Sequence, residues 1–123
     1  MKLNFVSENV YIPKWNENKK EKENQIKVYW KYPTYSERKR IKYFSNPKVN
    51  NIGSGSNPEI EFIIDFEMAI KLCIVKIENL EVNNKSIVSS KDLIECGGLS
   101  GLADEIGGVI IKEMDEVKNN SKN

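Results

Sequence analysis

The sequence predicts an α+β fold: an N-terminal antiparallel strand pair, then a basic helix, a long central helix, a small β-hairpin and two C-terminal helices. Three observations carry this. Ile26, Val28 and Trp30 alternate with Lys27, Tyr29 and Lys31, the period of a half-buried strand. Across residues 58–82, PEIEFIIDFEMAIKLCIVKIENLEV, apolar residues recur at helical spacing. Beyond residue 79, an apolar phrase, an Asn-Asn pair and a helix-start signature follow closely.

Residues 2–12 read as the first strand, with Leu3, Phe5, Val10 and Ile12 facing inward and Pro13 ending it. Residues 15–24, WNENKKEKEN, are too polar to bury apolar area, which predicts a solvent loop. On that reading the segment is dispensable. Residues 25–32 form the second strand, stopped by Pro33 because proline lacks a ladder N–H. Residues 34–44 follow as a helix: Thr34 and Glu37 make a capping box, Arg38, Lys39, Arg40 and Lys42 crowd it, and Ile41 and Phe44 form its apolar edge. Residues 45–57, SNPKVNNIGSGSN, read as a flexible connection.

The central helix is the expected heart of the core. Phe62, Phe66, Ala69, Ile70, Cys73 and Ile77 share one face, which Ile63 and Ile74 widen. Ser56 or Asn57 caps it and Pro58 occupies its first turn. Glu61, Asp65 and Lys76 fall on one flank and Glu67, Lys71 and Glu78 on the other, with Glu67 and Lys71 an i,i+4 pair. A brief alternation also permits a strand over 59–64, but the uninterrupted length favours helix. Residues 79–89 then read as a hairpin turning at Asn83-Asn84. Ser89 and Asp92 cap a short helix through Cys96, which Gly97-Gly98 ends. Residues 100–117 form the last helix, with Leu102, Ile106, Val109, Ile110 and Val117 on one face and Met114 at its edge. Gly107 and Gly108 in its middle predict either close approach of another helix or chain, or a kink.

The whole is expected as one small domain, 1–117, with a mobile polar tail at 118–123. Its net charge of +1 conceals a division. Residues 1–58 hold 12 Lys and Arg against 5 Asp and Glu, whereas residues 59–123 hold 7 against 13. The basic half either meets an acidic partner or nucleic acid, or the two halves attract one another or copies of themselves. No apolar run is long enough for a membrane span, and the N-terminus lacks a signal peptide's apolar segment, so a cytoplasmic location is expected. Cys73 and Cys96 are then expected as buried, reduced thiols.

No catalytic motif is present. The chain has no histidine, the commonest general base and metal ligand. GSGSN at 53–57 lacks the lysine and the strand–helix context of a phosphate loop. Glu61 and Asp65 share a face as a carboxylate pair could, but on a polar flank. A non-enzymatic protein with no cofactor and no metal is the expectation. Residues 14–44 interleave Lys and Arg with Trp15, Tyr29, Trp30, Tyr32, Tyr35 and Tyr43, which keeps a single-strand nucleic-acid-binding module open as an alternative. Candidate partner-binding residues are Tyr35, Arg38, Arg40, Gly107 and Gly108.

The phrase IENLEVNNKSIVSSKDLIEC at 77–96, the final helix and the Lys-Asn terminus resemble the small tail assembly chaperones of long-tailed bacteriophages. PTYSERKRIKYF at 33–44 is similar to a segment of such proteins, and the resemblance spans 25–123. The N-terminal strands depart from that family's mostly helical form. The resemblance implies a binding role in the host cytoplasm: coating the tape-measure protein, recruiting tail-tube subunits, and leaving before the virion is complete. It also implies a −1 frameshift near the end of the message, for which Lys118-Asn119 and Lys122-Asn123 supply adenine-rich codons. A small virion structural or adaptor protein is the second reading.

Overall fold

The structure is a computed structural model, and it describes residues 1–45 and 61–116. It is an α+β fold with antiparallel strands and several helices. β1 (Asn9–Tyr11), β2 (Lys27–Trp30) and β5 (Ile74–Glu78) form one sheet in the order β1-β2-β5. The expected pairing of the two N-terminal strands holds, with Val10 opposite Tyr29 and Tyr11 opposite Val28. β5 adds to the other side of β2, Val28 opposite Ile77, and the register shifts between Tyr29 and Trp30. Val28, Trp30 and Ile77 point into the core, whereas Val10 and Lys76 are exposed on the opposite face.

Helices cover the inner face: α1 (Tyr35–Ile41), α2 (Phe66–Cys73), α3 (Ser90–Glu95) and α4 (Ser100–Met114). Their buried residues are Ile41, then Ala69, Ile70 and Cys73, then Leu93, then Leu102, Ile106, Ile110 and Met114. Because Val28 and Trp30 join the same cluster, the basic and acidic halves share one core. Two further strand pairs complete the described residues. β3 (Lys42–Phe44) pairs with β4 (Phe62–Ile64), and β6 (Glu81–Val82) pairs with β7 (Lys85–Ser86).

Several expectations need correction. The central helix is not continuous: its stretch divides into β4, the eight-residue α2 and β5. Asp65, expected on a solvated flank, is the cap of α2, its carboxylate accepting from Met68 N–H at 3.0 Å. β-Branched residues at Ile63, Ile64, Ile74, Val75 and Ile77 favour the two strands, and Asp65 supplies the break between the first and the helix. Phe62 and Phe66 are consequently exposed rather than central to the core. Glu67 and Lys71 do pair, at 3.3 Å. The proposed cap at Ser56 or Asn57 and the proline at 58 lie outside the described residues.

The basic helix is the second correction. Its capping box is present, Glu37 N–H donating to Thr34 Oγ1 at 3.2 Å and Thr34 N–H to Glu37 Oε1 at 3.0 Å. It ends at Ile41, however, and Lys42, Tyr43 and Phe44 turn into β3. The N-terminal strand is the third. It is only three residues long, and Leu3, Phe5 and Val10 are exposed.

The polar segment after Pro13 is more than a solvent loop. Trp15–Lys20 forms 3-10 turns, with Asn16 and Glu17 in left-handed conformation, and Asn18 is buried. Asn18 donates to Pro13 O at 2.9 Å and Ile26 O at 3.1 Å and accepts from Ile26 N–H at 2.6 Å. One side chain thus supplies the backbone partners that burial demands.

The C-terminal half follows its local signals. Asn83 and Asn84 both have positive φ, 50° and 65°, the combination a two-residue hairpin turn needs. Ser89 and Asp92 form a reciprocal capping box, and Gly98 has a φ of 92° past the end of α3. α4 runs unbroken through Gly107 and Gly108, so there is no kink, and Gly107 marks a close approach. A Cβ at Gly107 would meet Phe66 Cδ2 at 3.1 Å, Phe66 Cβ at 3.3 Å and Phe66 O at 3.4 Å. Met114, expected at the edge of the stripe, is buried. Val117, the 45–57 connection beyond Ser45 and the tail at 118–123 lie outside the described residues.

Candidate functional site

The most unusual surface is the β3–β4 ribbon. It follows α1 directly and leads into α2, with Lys42 opposite Ile64, Tyr43 opposite Ile63 and Phe44 opposite Phe62. A two-stranded ribbon has two faces and nothing in it can be buried unless a further layer covers one of them. Among the described residues no layer buries either face: Phe44 is 61% and Phe62 56% exposed, and Tyr43, Ile63 and Ile64 are also exposed. Phe44 and Phe62 stack on each other at 4.2 Å between ring centroids, and Lys42 Nζ sits 5.1 Å from the Phe62 ring. Phe66, one residue beyond the strand-ending Asp65, extends this apolar surface toward α4.

The base of the ribbon is held by charge. Arg38 Nε donates to Asp115 Oδ1 at 2.7 Å, and Lys42 Nζ approaches Asp115 Oδ2 at 3.6 Å. Hydrogen bonding to Arg38, with the charges of Arg38 and Lys42, holds the Asp115 carboxyl below the usual carboxylate range. The same bond raises Arg38. At this contact the charge division of the chain is used within the molecule, the basic half gripping the end of the acidic one. Among the described residues no acid pairs with Lys39 or Arg40.

The sequence-nominated residues fall in two places. Tyr35, Arg38 and Arg40 lie on α1, the helix that continues into the ribbon. Tyr35 is 72% exposed, with Lys39 Nζ 4.9 Å from its ring, and Arg40 is exposed. Arg38 is engaged by Asp115. Gly107 is buried under Phe66 of the same chain, and a Cβ at Gly108 would have only ordinary contact with that ring at 3.7 Å. Gly107 therefore serves the α2–α4 contact, and Gly108 does not. Sequence reasoning missed Phe44, Phe62, Ile63 and Ile64 as a surface, and named Tyr43 only among aromatics that could stack nucleic-acid bases. The signal was available in their β-branched and aromatic character and in Asp65 as a helix cap.

Of the aromatics that could have stacked nucleic-acid bases, Trp30 is buried, and Trp15 and Tyr32 pack against the core. Trp30 and Tyr32 meet edge to face at 5.1 Å. Tyr29 remains on the sheet's outer face, with Lys76 Nζ 4.5 Å from its ring.

Polar contacts elsewhere fasten the fold. Tyr11 Oη and Lys14 N–H both donate to Glu105 Oε2 at 2.7 Å, tying β1 and the segment after it to α4. Burial and the Glu105 carboxylate raise the Tyr11 hydroxyl well above its usual range. Cys73 is buried and its thiol is pushed up to about 12, chiefly by desolvation, whereas Cys96 is half-buried; both are free. Among the described residues no group of three or more His, Cys, Asp or Glu side chains could hold a metal ion, and no helix is long and apolar enough to cross a membrane. Comparison with protein-family models, curated proteins and solved structures finds no match to this chain.

Proposed function

We propose that the chain is a non-enzymatic protein-binding assembly factor and, within that class, a tail assembly chaperone of a long-tailed bacteriophage. The observation that supports the class is the ribbon. Contiguous exposed apolar surface of this kind is a mark of interaction sites, and exposed aromatics with a cation beside them have the composition of binding hot spots. The particular role comes from the resemblance of residues 25–123 to tail assembly chaperones. Its partners are then the tape-measure protein and tail-tube subunits, met in the host cytoplasm. The nucleic-acid alternative loses much of its stacking platform, since Trp15, Trp30 and Tyr32 serve the core.

The test is co-expression with a tape-measure and a tail-tube protein, which this reading requires the same genome to encode. The expected result is a soluble complex with one of them that F44S/F62S abolishes while the variant's own melting is little changed. Recovery of the chain in purified particles would favour the virion adaptor reading instead. A complex unaffected by the ribbon substitutions would remove the ribbon as the binding surface.

A further inference from the structure

Among the described residues the ribbon has an open edge as well as exposed faces. Hydrogen bonds from Asp65 N–H to Ile41 O, at 2.7 Å, and from Ser45 N–H to Glu61 O, at 2.8 Å, bracket the β3–β4 pairing. Antiparallel pairs alternate between hydrogen-bonded and non-hydrogen-bonded, so Tyr43–Ile63 is the bonded pair between those brackets. The N–H and C=O groups of Phe62 and Ile64 consequently face away from β3. Among the described residues no strand pairs with that side of β4. Such an edge is a template for another strand, and proteins usually blunt it with lysine, proline or a bulge. The triplet Phe62-Ile63-Ile64 has none of these.

We propose that the free edge of β4 takes an antiparallel third strand from another protein, an extended segment of about three apolar residues with a basic residue on each side. This rests on the reading of the chain as a protein-binding factor and gives the chemistry of its partner. Charge selects the occupant. Glu61 and Asp65 bracket the triplet, and Asp65 is fixed there by its bond to Met68 N–H. Residues entering opposite them face a carboxylate at each end, where a cation stabilises and an anion destabilises. A second copy of this chain fits poorly, because pairing β4 with β4 about Ile63 sets Glu61 of each copy opposite Asp65 of the other. An incoming strand also covers apolar surface on both faces, beside Phe62 and Ile64 on one and Ile63 on the other.

The full chain is titrated with two capped peptides, one centred on Lys-Val-Phe-Val-Lys and one on Glu-Val-Phe-Val-Glu, followed by calorimetry and by the amide shifts of Phe62 and Ile64. The Lys-flanked peptide is expected to bind about fivefold or more tightly than the Glu-flanked one and to move both amides. Ile64→Pro removes an outward N–H without touching the β3–β4 bonds and is expected to abolish binding. Glu61→Lys, at an exposed side chain, is expected to bring the two peptides close to parity. Equal binding by the wild type, an undiminished preference in Glu61→Lys, no binding at all, or self-association that Ile64→Pro abolishes would each overturn the proposal. Binding of the Lys-flanked peptide with no tail-protein complex would support the edge and remove the chaperone role. A tail-protein complex through the ribbon with no peptide preference would do the reverse.

Discussion

Phe66 lies so close to Gly107 that a methyl group on the glycine would meet its ring at 3.1 Å and its Cβ at 3.3 Å, while the same addition at Gly108 meets the ring only at 3.7 Å. Two adjacent glycines should therefore respond with opposite signs. Gly107→Ala requires Phe66 to give by a few tenths of an ångström against the α2 backbone it is fixed to and should cost about 1–3 kcal/mol, as overpacking does. Gly108→Ala meets only ordinary contact and gains helix propensity, so it should be neutral or stabilising by up to about 1 kcal/mol. Denaturant midpoints of the two variants check this, and a shared sign would mean that the helices are not in contact as described.

Asn18 is the second point of leverage. Asn18→Ala leaves the Ile26 N–H and the Pro13 and Ile26 carbonyls without their partner in a buried position, at a cost of about 1–3 kcal/mol or more. Removing residues 16–24 altogether should do at least as much damage. The sequence-based expectation was the opposite, that the segment could be shortened freely. Urea unfolding of Asn18→Ala and of the shortened chain decides between them.

The Arg38–Asp115 contact predicts a pH dependence. The folded Asp115 carboxyl is held below its ordinary value by Arg38, so its contribution is present above the usual carboxylate range and is lost as the pH falls through the lowered folded value. Asp92, lowered first by the Val88 N–H and then by Ser89, adds in the same direction. Both side chains of the Arg38–Asp115 pair remain more than a third exposed, so a double-mutant cycle at neutral pH should return only about 0.2–1 kcal/mol, less in high salt. Asp115→Asn should flatten the acid limb of the stability curve; an unaltered limb would remove the contact from the folded protein.

Where the sequence spoke through local chemistry, it was legible. The capping boxes at Thr34 and Ser89, the Asn83-Asn84 turn, the β1–β2 pairing and the stripe of Leu102, Ile106 and Ile110 all follow from residues that determine their own backbone. The stretch around Phe66 was illegible for a physical reason: strand, helix and strand succeed one another without glycine or proline between them, and the apolar run fits helical spacing throughout. That misreading put Phe62 and Phe66 in the core. With Phe66 partly exposed, Phe66→Ala should cost less than the about 3–5 kcal/mol of a buried phenylalanine, whereas Ile70→Ala should cost about 2–5 kcal/mol. The ribbon was hidden with it, because a helix over 62–64 leaves residues 42–44 no strand to pair with.

The proposal that the β3–β4 ribbon is a docking surface is tested most directly by amide hydrogen exchange on the chain alone and in complex with the proposed tape-measure partner. In the free chain the Phe62 and Ile64 amides, which point to the open edge, should exchange fast, and the Ile63 amide, bonded to β3, should be protected. In the complex, Phe62 and Ile64 should become protected by at least about tenfold, whereas Phe44, whose N–H points to the opposite edge of the ribbon, should not. Fast exchange at Phe62 and Ile64 in a complex that forms all the same would contradict docking at this edge.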